Sequence, residues 1–294
     1  MPRSRVKGLA SLFWAAVMVA LASLASAQTR PDHLTIGLLP GESAPTVMRL
    51  NEPLRAYLEK RLGMPVELVV GANYAATGEA IRFGRLDIAY LGPVTYILRS
   101  RSAKLEVFAR PTHVDAGPTF RAVIIVPSDS PAKSLADLKG QDIAFGDPAS
   151  TSGTWVPRYQ LLEAGLISER DYTLRVLGAH DAVALAVANH KVGAGGLSKP
   201  IYDRLLAEHK INTEQVRILA VSAPIPEYMW TFREGLDPAF KEEVRQAFLG
   251  LTDADALNVF RAKAFGPAVD SDVDLVRKWI DAIKAANPDA VPVR

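Results

Sequence analysis

The segment Asp147-Pro148-Ala149-Ser150-Thr151-Ser152-Gly153 lies between two runs of different character. Before it, Asp142-Ile143-Ala144-Phe145-Gly146 reads as a short buried strand, and after it Thr154 to Ala164 carries apolar residues at helical spacing. Three consecutive hydroxyl residues therefore stand where a strand gives way to a helix start. The first N–H groups of a helix have no intrahelical partner, and the aligned peptide dipoles place about half a positive charge there. Such a terminus is suited to an anion. The plain alternative is a Ser150 or Thr151 that only caps the helix. A cap needs one hydroxyl, whereas this turn supplies three and adds a glycine that lets a ligand approach.

Strand and helix patterns alternate on both sides of this turn. Upstream, strand-like runs at 34–39, 66–70, 87–91 and 105–109 are separated by helical patterns at 46–62, 75–83 and 94–101. An extended run at 121–126 and a short helix at 135–139 lead into the turn. Downstream, strands at 174–177, 192–196 and 216–221 alternate with helices at 154–164, 181–189 and 199–209. After a strand-like run at 228–232 the tail is helical at 238–249, 253–262 and 271–286, with Ser271 as an N-cap. This alternation predicts an α/β fold with mainly parallel sheets covered by helices. Extended segments near 121–126 and 218–224 make the chain cross twice between two lobes. Lobe 1 then comprises residues 28–121 and 224–294, and lobe 2 residues 122–223, with the last helices returning to lobe 1. Ligands of open α/β sheets lie beyond the carboxyl ends of the strands, here in a cleft between lobes.

The chain begins with basic Arg3, Arg5 and Lys7, an apolar run from Leu9 to Leu24, and the small residues Ala25-Ser26-Ala27. This pattern is that of a secretory signal peptide, residues 1–27, cleaved after Ala27. Its apolar core is shorter than the ~20 residues of a membrane span. The whole chain of 294 residues has 34 basic and 32 acidic side chains, and cleavage would leave 31 basic against 32 acidic. A nearly neutral mature protein has no electrostatic footprint for nucleic acid. Cysteine is absent, which excludes disulfides, thiolate metal sites and a lipid-attached cysteine. The five histidines show no metal-ligand spacing, so neither a metal nor a cofactor is expected.

Two further residues fall at strand-to-helix turns. Tyr74, after the strand at 66–70, could donate to an anion from across the cleft, or it is an ordinary packing tyrosine. His180, in Leu177-Gly178-Ala179-His180-Asp181, could donate from its imidazole or simply occupy a helix start. Asp181 suits a helix cap. A hydrolase would make Ser150 a nucleophile, His180 its base and Asp147 the orienting acid. The chain lacks a Gly-x-Ser-x-Gly elbow around Ser150, which weighs against that reading. Gly193-Ala194-Gly195-Gly196 misses the spacing of a dinucleotide fingerprint and is expected to serve close strand packing.

Taken together, these motifs resemble those of the phosphate, phosphite and phosphonate substrate-binding proteins of ABC transporters. The resemblance is carried by 147–153, by Tyr74 with Ala80-Ile81-Arg82-Phe83-Gly84-Arg85-Leu86-Asp87, and by Ala89-Tyr90-Leu91-Gly92-Pro93. Gly178-Ala179-His180-Asp181-Ala182-Val183 and Ser222-Ala223-Pro224-Ile225-Pro226 complete it. It covers nearly the whole mature chain, in order. It implies a type II periplasmic binding fold, two α/β lobes on a two-strand hinge, acting as a monomer beside an inner-membrane ABC permease. By that resemblance Tyr74, Ser150, Thr151, Ser152 and His180 hold a phosphorus oxyanion. A second aromatic contact falls on Phe120, where a tyrosine is usual, which removes a hydroxyl donor. The two positions that carry carboxylates in aminophosphonate binders fall on Pro200 and Tyr228, neither acidic. A buried ammonium without a carboxylate is costly, so an aminophosphonate is disfavoured. Asp181-Ala182-Val183-Ala184 with Ala194-Gly195-Gly196-Leu197-Ser198 looks closest to the phosphite-binding branch. Phosphite is therefore expected first, with methylphosphonate, another small phosphonate or phosphate behind it, and Trp155, Phe120 and Tyr228 as an apolar wall. The same fold could instead present its ligand to a membrane receptor as a sensor.

Overall fold

The computed structural model describes residues 29–288, so the signal-peptide segment lies outside the described residues. Two sheets form the body. The first contains β1 (Leu34–Leu38), β2 (Val66–Val70), β3 (Ile88–Leu91), β4 (Glu106–Thr112), β12 (Met229–Phe232) and β13 (Ala264–Pro267), in the order β13-β4-β12-β3-β1-β2. The second contains β6 (Ala122–Pro127), β7 (Asp142–Gly146), β8 (Thr173–Gly178), β9 (Ala194–Ser198) and β10 (Val216–Val221), in the order β10-β6-β9-β7-β8. Between them lies a small antiparallel ladder of β5 (Thr119–Phe120) and β11 (Ile225–Pro226), with Phe120 opposite Ile225. The chain passes between the sheets on either side of this ladder, which is the two-strand hinge of a two-lobed α/β fold.

The sheets are mixed rather than mainly parallel. β1 is parallel to β2 and β3, and β7 to β8 and β9, because helices carry the chain back over the sheet. β12 runs antiparallel to both β3 and β4, and β6 antiparallel to β9 and β10. These strands enter from the hinge or return from it, so no crossover helix sets their direction.

The connecting helices are α1 (Ala44–Leu62), α2 (Tyr74–Arg82) and α3 (Pro93–Ser100) on the first sheet. On the second they are α4 (Val156–Glu163), α5 (His180–Ala188) and α6 (Lys199–Ala207). Their ends follow local chemistry. Gly63 closes α1 in the left-handed region (φ 65°), which a glycine enters without a Cβ clash. Asn73 caps α2 by accepting from Ala76 N at 2.7 Å. In the tail, Asp237 and Asp253 cap α7 (Pro238–Leu249) and α8 (Ala254–Asn258) in the same way. α8 ends four residues short of the expected 262, in a turn where Arg261 is left-handed (φ 50°). The following Ala-Phe-Gly-Pro reads as no element, yet pairs with Ala109–Thr112 as edge strand β13. The final helix α9 (Asp274–Ala286) touches both lobes. Asp270 just before it accepts from Tyr96 Oη of α3 at 2.7 Å, while Trp279 stacks on Tyr159 of α4 with ring centroids 5.5 Å apart.

The glycine-rich run packs as expected. β9 is wholly buried, and a Cβ on Gly195 would lie 2.6 Å from Val183 Cγ1 and 2.9 Å from Val187 Cγ2 of α5. Gly195→Ala should therefore push α5 off its sheet and cost roughly 1–3 kcal/mol. Thermal unfolding should register this as a fall of several degrees, about 2–4 °C per kcal/mol for a chain near this size; an unchanged midpoint would contradict the packing.

Candidate oxyanion-binding site

The segment after β7 does not open an ordinary helix. Trp155 N donates to Ser150 O at 3.2 Å and Val156 N to Thr151 O, so residues 151–155 form a wide π-type turn before α4. Such turns recur at functional sites because they splay the first residues away from the helix axis. Ser150 Oγ accepts from Gly153 N at 3.1 Å, so this hydroxyl does cap the turn. The Gly153 N–H is thereby occupied. Thr151 Oγ1 accepts from Val94 N at 3.0 Å. All three hydroxyl residues are fully buried, and Ser152 Oγ meets no partner at hydrogen-bonding geometry.

Tyr74 and Tyr228 close over these hydroxyls. Tyr74 Oη lies close to Tyr228 and Ser150, and burial lifts its pKa to about 12. Burial lifts Tyr228 well above the usual phenol value, and Ser152 lies near enough to its hydroxyl to lower that pKa slightly. Both phenols thus stay protonated and able to donate. Tyr228, expected as apolar wall, is a donor as well. Phe120 packs edge-on against Tyr228 at 5.7 Å and provides the apolar side. Trp155 does not reach the cleft: it is buried beneath the turn, its Nε1 donating to Pro148 O at 2.7 Å.

His180 opens α5, with its N–H donating to Gly41 O across the cleft at 2.9 Å. Its Nδ1 accepts from Ser198 N at 3.2 Å, which fixes the tautomer with the proton on Nε2. Burial depresses its pKa to about 4. The ring is thus a neutral donor, seated against glycines that leave it room: a Cβ on Gly153 would fall 2.7 Å from His180 Cε1. On Gly41 a Cβ would lie 3.2 Å from Tyr74 Oη and 3.6 Å from His180 Cδ2. The hydrolase arrangement is not assembled. Asp147 accepts from Tyr74 N (3.0 Å) and Ala149 N (2.7 Å), and His180 Nδ1, which would have to face it, is taken by Ser198.

Tyr74, Phe120, His180, Pro200 and Tyr228 border one cavity of about 600 Å³, with Ser150–Ser152 behind the two tyrosines rather than on its wall. The cavity also carries two carboxylates that sequence reasoning missed. Glu227 is held by His113 Nε2 at 2.9 Å and Tyr228 N at 2.8 Å, and Glu42 pairs with Arg204 of α6. Glu227 stands directly before Tyr228, but nothing in the linear pattern ties it to His113 or brings Glu42 to Arg204.

The arrangement is that of a two-lobed periplasmic binding protein with a cluster of neutral donors at its cleft. The model of the family described as "ABC transporter, phosphonate, periplasmic substrate-binding protein" matches residues 36–273, and the chain belongs to that family. It is 30% identical over 233 residues to the phosphonates-binding periplasmic protein of Escherichia coli, spanning 78% of this chain and 69% of that one. It is 26% identical over 280 residues to the phosphate-import protein PhnD of Mycolicibacterium smegmatis, spanning 87% of each. The fold matches that of PhnD1 from Prochlorococcus marinus in complex with methylphosphonate, with a TM-score of 0.79 at 22% identity over 87% of this chain and 98% of that one.

A buried imidazole with a depressed pKa has a defined effect on stability. Above pH 6.5 the ring is neutral in both the folded and the unfolded chain and costs nothing. As pH falls from 6.5 toward about 4 only the unfolded chain takes up the proton, so stability is lost through that window. The difference of about 2.5 pH units corresponds to roughly 3 kcal/mol when complete. Denaturant unfolding from pH 7.5 to 4 should show wild type losing more stability than His180→Gln; parallel pH curves would refute the assignment.

Proposed function

We propose that this protein captures a small phosphorus oxyanion in the cleft between its lobes, phosphite first and methylphosphonate or another small phosphonate next. The observation that carries the reading is the cluster of neutral donors Tyr74, Ser150, Ser152, Tyr228 and His180, buried with an unpartnered Ser152 hydroxyl. Thr151 shares the same turn, and its hydroxyl proton stays available while its oxygen accepts from Val94 N. Among the described residues this cluster contains no lysine or arginine, although Arg49, Arg204 and Arg261 line the wider cavity, so the anion is held chiefly by hydrogen bonds and helix termini. Phe120 gives the tetrahedral guest one side without a donor or acceptor. A P–H or P–CH₃ bond fits there, whereas the extra hydroxyl of phosphate would go unpaired.

In this reading residues 28–121 with 224–294 form one lobe and residues 122–223 the other, closing about the 119–120/225–226 ladder. The mature protein, cleaved after Ala27, works in the periplasm as a monomer and delivers its ligand to an inner-membrane ABC permease. Calorimetric titration with phosphite, methylphosphonate, 2-aminoethylphosphonate and phosphate tests the ranking. Phosphite or methylphosphonate should bind tightest; tightest binding of the aminophosphonate would overturn it, with Glu42 and Glu227 then the carboxylates to examine. Ser152→Ala should weaken phosphite binding about ten- to a hundredfold, the worth of a hydrogen bond to a charged group. Unchanged affinity in that variant would remove Ser152 from the site.

A further inference from the structure

We propose that the turn 147–151 is also the latch that holds the lobes closed, with Asp147 as a positioning residue that does not touch the ligand. Two helices of the first lobe aim their N-termini at this turn. Tyr74 N, the first residue of α2, donates to Asp147 Oδ2 at 3.0 Å. Val94 N, in the first turn of α3, donates to Thr151 Oγ1 at 3.0 Å. Thr95 Oγ1 donates to Ala149 O at 3.0 Å. All three bonds run from the first lobe to the second, and both acceptor side chains are buried.

The chemistry explains why the turn carries these groups. The first N–H groups of any helix lack intrahelical partners. In an open cleft water satisfies them, but closure removes the water and would strand them unless the opposite lobe brings acceptors. Neither helix has a local substitute at these positions. Asn73 is spent on Ala76 N, and Gly92 and Pro93 at the start of α3 have no polar side chain. Asp147 and Thr151 therefore complete two helix caps only when the lobes meet. Because Tyr74 also borders the cavity, the Asp147 contact fixes the first residue of α2, and with it that phenol, at the cleft. Capture of the anion and completion of the caps favour the same closed state, so the ligand shifts a closure that the ligand-free protein already samples.

A carboxylate this near an anion site repels the ligand, so its charge and its capping role make opposite predictions. Asp147→Asn removes the like charge but replaces one carboxylate oxygen by a donor, so the amide cannot cap Tyr74 N and Ala149 N together. The latch predicts that Asp147→Asn weakens phosphite or methylphosphonate binding roughly tenfold, mainly through faster dissociation. Thr95→Val, outside the ligand cluster, should weaken it roughly three- to tenfold with unchanged ligand-free melting. Tighter binding by Asp147→Asn, or wild-type affinity in both variants, would overturn the latch.

The latch rests in part on the oxyanion reading, and amide exchange separates the two. In the ligand-free protein the Tyr74 amide should exchange faster in Asp147→Asn than in wild type, while Ala76, capped by Asn73, is unaffected. Equal exchange at Tyr74 would overturn the latch even if wild type binds phosphite. An exchange difference in a protein that binds none of the four phosphorus anions would leave the latch standing and overturn the ligand assignment.

Discussion

The unmet hydrogen-bonding capacity of helix N-termini organises this structure. α2, α3, the wide turn before α4, and α5 all begin at the cleft, where strands β2, β3, β7 and β8 end. Each start exposes N–H groups and a partial positive charge. Most of these needs are met by neighbouring groups: Asn73 for α2, Ser150 for the turn, and Asp147 and Thr151 across the lobes. What is left is a buried cluster of neutral donors, to which we assign the anion.

In the proposed site, that choice of donors shapes selectivity. Arginine would hold phosphate, phosphite and phosphonate alike, since it answers to charge and to two oxygens at once. Phenols, serine hydroxyls and a neutral imidazole instead make a site in which each oxygen needs its own partner, and an unpaired oxygen is penalised. Burial keeps the donors in their donating state, raising both phenol pKa values and lowering that of His180. In that reading Phe120 leaves one direction of the tetrahedral guest apolar.

Much of the fold was legible in the sequence, because strand and helix periods alternate cleanly and the turn residues mark the boundaries. The turn 147–153, Tyr74 and His180 stand out as candidates because each sits between a strand pattern and a helix pattern. Less legible were features that exist only as pairs. β13 is an Ala-Phe-Gly-Pro segment with no strand signature of its own, made a strand by β4. Glu42 and Glu227 are ordinary loop glutamates until Arg204 and His113 face them. Trp155 has the composition of a cleft wall but faces the core, because the wide turn rotates it beneath Pro148.

The sequence by itself determined the local chemistry: which turns could receive an anion, which helices needed caps, and that the chain alternates between strand and helix. These follow from properties of neighbouring residues, which a linear pattern records. Only the tertiary structure decided how the hydroxyls are used. Ser150 caps, Thr151 reaches the opposite lobe, and Ser152 alone keeps an uncommitted oxygen. That division depends on the approach of α2 and α3 across the cleft, far from 150–152 in sequence, and so no reading of the turn in isolation could assign it.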